Sequence, residues 1–213
     1  VASTSAHPTP TRSTTRWSSR HTLWLILALA ALFVFITSEV LLIADYPMYH
    51  GYRLQLIADR HLFIPHAILG TLALLSGPPQ FSTRLRQRWR AFHRILGRVY
   101  VASVLLAAVL ALTISAGHPL FPATCVQAGA WIICTVAAFL TARNRQIAQH
   151  RQWMVRSYAV TFTFITTRLL NLWPRYWHLS NAADVVLIIT VTFGSILLCD
   201  LGMNWRELTT RRT

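Results

Sequence analysis

The residues best equipped for chemistry in this chain are its histidines, of which there are nine. An imidazole nitrogen binds transition metals, and two imidazoles at one depth on facing helices supply both axial positions of a b-type haem iron. Four of them, His66, His93, His118 and His150, invite that pairing. Two of the four open similar segments, His93-Arg94-Ile95-Leu96-Gly97-Arg98-Val99-Tyr100 and His150-Arg151-Gln152-Trp153-Met154-Val155-Arg156-Ser157-Tyr158. Each begins His-Arg and sets a second arginine and a tyrosine about one and two turns further on, a weak internal repeat of two helix-hairpin units.

Such residues need elements that hold them, and composition says which. The 213 residues are 54% hydrophobic and only 12% charged, with a net charge of +14. A soluble domain has about a quarter of its residues charged. This supply cannot cover a globular surface, so a soluble enzyme is excluded and an all-α, polytopic membrane protein is expected. Six stretches, near 23–44, 61–79, 95–116, 124–142, 153–173 and 182–203, are long enough to cross a hydrocarbon core of about 30 Å. Spans two to five form the expected four-helix core of one membrane domain, 23–203. Residues 1–22 read as a disordered basic tail and 204–213 as a C-terminal tail. The first span is too long for an ordinary signal peptide and stays in the membrane.

All twenty basic residues are arginine. Sixteen lie in the N-terminal tail, between spans two and three, between spans four and five, and at the C-terminus; only Arg53, Arg60, Arg168 and Arg175 lie on the other side. The positive-inside rule then makes both termini cytoplasmic, in a bacterial inner membrane, with tryptophans such as Trp24, Trp89, Trp153, Trp173, Trp177 and Trp205 at the interfaces. The arginines show no nucleic-acid-reading motif, so no nucleic acid partner is expected; the bilayer is the partner.

That topology fixes the depths of the histidines. His66 and His118 come to the outer leaflet on spans two and four, His93 and His150 to the inner leaflet on spans three and five. His50, His61 and His178 are further outer-face candidates, while His7 and His21 belong to the tail. In order and side the four histidines resemble the ascorbate- and quinol-linked transmembrane diheme b cytochromes, whose four-helix core supplies paired histidines from alternate helices. The resemblance implies haem b on both pairs, an electron path between a quinol or cytoplasmic donor and an outer-face acceptor, and oxidoreductase chemistry if the chain catalyses anything. The pattern departs from those cytochromes in one respect: the histidines sit at span ends, His118 most of all in Gly117-His118-Pro119.

A second resemblance rests on His66-x3-Gly70, Gly77-Pro-x-Gln80-Phe81, His93-Arg-x2-Gly97-Arg98-x-Tyr100 and His150-Arg-x-Trp153-Met154-x-Arg156-Ser157. Over roughly residues 61–170 these resemble a bacterial family of predicted multi-pass membrane proteins of unknown function. It implies that His66, His93, His150, Arg94, Arg98, Arg151 and Arg156 belong to a shared site; His118, Tyr100 and Tyr158 are further candidates to line it. Small residues at His66, Gly70, Ala73 and Gly77 spacing admit a close helix or a flat cofactor. An arginine one turn inside a span normally has a partner, and Asp200 is the carboxylate at the depth of Arg98 and Arg156. Glu39, with Asp184 and Asp45 as alternatives, is the expected partner of Arg168.

There is no Walker A, GxSxG, HExxH or Rossmann motif. Cys125, Cys134 and Cys199 lie in apolar segments without CxxC spacing and read as small buried hydrophobes. Two other functions stay open: a cofactor-free accessory subunit or assembly factor of a larger membrane complex, or a homo-oligomer of that kind, and an outer-face copper site built from His50, His61, His66, His118 and His178.

Overall fold

The apolar stretches become long helices. The structure, a computed structural model, describes residues 58–171, 173 and 179–209, with residues 29, 32 and 33, which are helical. Among the described residues from 60 onward the elements are α1 (Arg60–Gln80), α2 (Thr83–Arg88), α3 (Arg90–Ser115), α4 (Phe121–Arg143), α5 (Ile147–Asn171) and α6 (Asn181–Thr209). Five of the six expected spans therefore correspond to observed helices; the first, near 23–44, lies outside the described residues apart from Leu29, Leu32 and Phe33. The C-terminal tail expected from residue 204 is shorter, because α6 carries its helix on to Thr209.

Local chemistry explains the joints. Ser82 caps α2, its Oγ accepting the Leu85 N–H at 3.2 Å. Pro122 sits at the start of α4, where its missing N–H costs nothing. Between α4 and α5, Gln146 N–H bonds the Thr141 carbonyl and Arg145 N–H bonds that of Ala142. These are the two bonds of a Schellman turn, and Arg145 holds its left-handed position at φ 61°. The turn reverses the chain within three residues and brings His150 back beside α4.

The helices pack as a ring. α1 lies against α3, α3 against α4, α4 against α5, and α5 against α1, with α6 docked on the outside of α4 and α5. This is the expected four-helix core, with α1 and α4 on one diagonal and α3 and α5 on the other. Its polarity is that of a membrane bundle. Ile64, Ile68, Leu72 and Leu75 form an exposed stripe on α1, as do Phe193 and Leu197 on α6, whereas Ser103, Gln127, Thr135, Ser157, Thr161 and Thr163 are buried. Apolar faces of this extent belong in lipid.

Among the described residues four helices are long and apolar enough to cross a membrane: α1, α3, α4 and α6 over Asn181–Trp205. The protein is a multi-pass membrane protein. Helix α5 is absent from that set because it carries the polar side chains that fill the bundle interior.

Candidate functional site

The middle of the bundle is tied by hydroxyls. Tyr100 OH shares hydrogen bonds with Ser157 Oγ at 2.8 Å and Thr161 Oγ1 at 2.9 Å. Thr135 Oγ1 meets Ser157 Oγ at 2.7 Å, and Trp131 Nε1–H donates to Thr161 Oγ1 at 2.9 Å. Gln127 Nε2 donates to Thr163 Oγ1 at 2.8 Å. The Thr161 hydroxyl also donates to the Ser157 carbonyl, so its single proton and both lone pairs are used. Fully satisfied buried networks rigidify a core, and this one locks α3, α4 and α5 into a fixed register. Gln127, Trp131, Thr135 and the pair Ser157 and Thr161 recur at intervals of four. That polar stripe within apolar helices is the signal that histidine-led reasoning passed over.

Tyr158 joins the fourth helix. Its hydroxyl donates to the Leu74 carbonyl at 3.1 Å. That carbonyl lacks its own helical partner because residue 78 is proline and has no N–H to give. Gly77 makes room: a Cβ there would overlap the Tyr158 ring. The sequence Gly77-Pro78 is the last part of α1, shaped to receive a tyrosine. Both tyrosines expected at a cofactor site are engaged in joining helices.

At the arginine-rich end, His150 Nδ1–H donates to the Ala138 carbonyl of α4 at 2.8 Å. The bond places the proton on Nδ1 and the lone pair on Nε2, the tautomer of a metal-ligating histidine. His93, on the diagonal helix α3, lies where the charges of His150 and Arg86 reach it. Its Nδ1 is buried without a hydrogen-bond partner among the described residues. Gln80 Nε2 reaches the His93 carbonyl at 3.4 Å, passing beside Gly97. Arg94, Arg98 and Arg151 are exposed around this end. Arg156 is occupied: its Nε–H donates to Asp200 Oδ1 at 2.8 Å, and its guanidinium lies 4.7 Å from the Trp153 ring centroid. Asp200 is therefore the partner expected for one of the two arginines. Relative to their histidines, Arg98 and Arg156 differ by one residue, about 100° of helix rotation, so they point to different neighbours.

The opposite half is built differently. His66 Nδ1–H donates to the Ala107 carbonyl of α3 at 3.0 Å, the counterpart of the His150–Ala138 bond in the other hairpin. His66 also lines a cavity between α1, α4 and α5, with Ala67, Gly70, Thr71, Leu74, Trp131, Thr161, Phe164, Ile165 and Arg168. The cavity is small, about 30 Å³, and partly open. Trp131 and Phe164, with ring centroids 4.8 Å apart and planes tilted by 54°, form its aromatic wall. His118, expected to pair with His66, is not among these residues. It sits in the turn before α4, where the Leu120 N–H donates to its Nδ1 at 3.2 Å, which moves the ring proton to Nε2.

Among the described residues no three of His, Cys, Asp and Glu come together as metal ligands. Of the histidines in the copper reading, His61 is exposed; His50 and His178 lie outside the described residues, as do Glu39, Asp45, His7 and His21. Cys134 is buried as expected, Cys199 is half-buried, and Cys125 is exposed. Arg168 Nη1 donates to the Phe164 carbonyl at 3.2 Å.

No curated protein and no solved structure matches the chain. Residues 63–201, which include both histidine regions and the hydroxyl network between them, match the family described as predicted membrane protein (DUF2306), and the chain belongs to that family.

Proposed function

We propose that this protein is a membrane redox protein that holds a b-type haem between His93 and His150. The observation that carries the reading is the arrangement of those two rings at one end of diagonal helices. One is oriented by a backbone carbonyl so that Nε2 bears its lone pair, and the other has a buried ring nitrogen without a partner among the described residues. An axial pair needs only two ligands, so the lack of larger ligand groups among the described residues is no obstacle. The Ala138 carbonyl would hold the His150 ring against rotation and raise its basicity. Arg86, Arg94, Arg98 and Arg151 surround this end and would bind the two propionates as charge-assisted pairs. Bound haem would supply reversible one-electron chemistry.

The finer topology belongs to the same reading. Helix α5 crosses the membrane with its polar side chains turned into the bundle, and the stretch near 23–44 adds a sixth span. The arginine-rich end is cytoplasmic in a bacterial inner membrane. Electrons would pass from the haem at that end toward the opposite half, across the Tyr100, Ser157 and Thr161 layer. From His150 to Thr161 is eleven residues, roughly 16 Å of helix rise. A second haem on His66 and His118 lacks comparable support, because His118 is engaged in its turn and does not line the cavity of His66.

The test is a reduced-minus-oxidised absorption spectrum of protein purified from haem-supplemented cells. Soret and α bands are expected, and they are lost in His93→Ala and in His150→Ala.

A further inference from the structure

We infer that the arginine-rich end binds anionic phospholipids, their headgroups on exposed arginines and their acyl chains along the outer face of α3. The first observation is an unbalanced charge. No aspartate or glutamate occurs between Asp59 and Asp184, the stretch that holds α1 to α5. Arg84, Arg88, Arg90, Arg94 and Arg98 are exposed on α2 and the base of α3, and the end of α4 and its turn add exposed Arg143 and Arg145. Asp200 is held by Arg156, and none of these seven has a carboxylate partner among the described residues. Two haem propionates would neutralise two of the seven at most, so the inference does not depend on the haem reading.

The second observation places lipid beside the charges. On α3, Arg90, Arg94 and Arg98 recur every four residues and form one stripe, about 12 Å long. Beside it runs an exposed apolar stripe of Ile95, Val99, Leu106 and Val109. Arg98 and Ile95 stand three residues apart, about 60° around the helix. Hydrocarbon chains cover such an apolar face, and a guanidinium on its border meets the phosphate at the head of the chains. Trp89 and Phe92, exposed and packed edge to face with ring centroids 6.2 Å apart, mark the interface at this level. A water-borne acidic polypeptide would reach Arg84 and Arg88 but leave the apolar stripe uncovered. Net negative lipid is selected over zwitterionic lipid because each arginine near an anionic surface adds about fivefold to binding.

The test is native mass spectrometry of the full-length protein in mild detergent, titrated with dioleoylphosphatidylglycerol or dioleoylphosphatidylcholine. These lipids share chains and phosphate and differ in net charge. The phosphatidylglycerol should bind at least tenfold tighter. Arg84→Gln, Arg88→Gln and Arg90→Gln combined should weaken it at least tenfold and leave phosphatidylcholine binding unchanged. All three side chains are exposed, so this variant should melt as the parent does. Arg60→Gln, exposed at the far end of α1, should change neither affinity. Glycerophosphoglycerol, the same headgroup without chains, and inorganic phosphate separate a lipid site from a site for free anions; both should bind at least tenfold more weakly than the lipid. Equal affinity for the two lipids, undiminished phosphatidylglycerol binding in the folded triple variant, or a chain-free anion bound as tightly as the lipid would each overturn the inference. A colourless protein with this lipid preference fails only the haem reading, and a haem protein without it fails only this one.

Discussion

The two halves of the bundle use the same local device in different surroundings. His150 and His66 each donate Nδ1–H to an alanine carbonyl on the neighbouring helix of their own hairpin. At the arginine-rich end a second histidine, His93, lies within electrostatic reach on the diagonal helix. In the other half the corresponding diagonal position is filled by Trp131 and its partners, and among the described residues the one cation lining the space is Arg168. A backbone-anchored imidazole is thus a generic part. What stands across from it differs: a second imidazole at the arginine-rich end, an aromatic wall in the other half. Between the halves, the hydroxyl layer keeps both in register.

The largest expected effect concerns that wall. Trp131 is 1% exposed and bonds Thr161. Trp131→Ala should lower stability by about 3–5 kcal/mol, as large aromatic truncations do by leaving a void, measured by denaturant unfolding in detergent. If the halves are separate in function, the residual folded protein keeps its haem spectrum. Next comes the seam between α1 and α5. Gly77→Ala drives a methyl into the Tyr158 ring and should cost about 1–3 kcal/mol. In a double-mutant cycle with Tyr158→Ala the two losses should fall short of adding, since the second change removes the obstacle.

A smaller effect is expected at the Arg156–Asp200 pair, which ties α5 to α6 with side chains 18% and 32% exposed. Asp200→Asn should cost about 1 kcal/mol, discounted for partial exposure, and Arg156→Gln should add little once it is made. The smallest change runs the other way. Arg145→Gly relieves a left-handed residue that carries a side chain and should raise stability by about 0.5–1 kcal/mol. Because this residue sits in the turn that sets His150 beside α4, a thermal melt and a haem titration on one variant separate stability from ligand geometry.

How far the chain pattern reached depends on what each residue answers to. Helix positions were legible because a bilayer imposes length and apolarity, and Asp200 was legible because an arginine inside a span needs a carboxylate. Tyr100 and Tyr158 looked equivalent in the repeat, yet the bond across the bundle joins Tyr100 to Ser157. Both stand seven residues after their histidines, whereas Tyr158 stands eight after, and one residue turns a side chain by about 100°. The engagement of His118 was hidden because a turn, unlike a helix face, leaves no periodic trace. Helix α5 was legible as a stretch near 153–173, but not the role of its polar residues: it is the helix whose side chains bond to all three of its core neighbours.

The central claim is that His93 and His150 are an axial pair. The most direct measurement is the reduced-minus-oxidised spectrum of protein from haem-supplemented cells, taken for the parent, His93→Ala, His150→Ala and His118→Ala. The account predicts b-type Soret and α bands in the parent and in His118→Ala, and their loss in the other two. A colourless parent, or bands that survive both substitutions and vanish in His118→Ala, would contradict it.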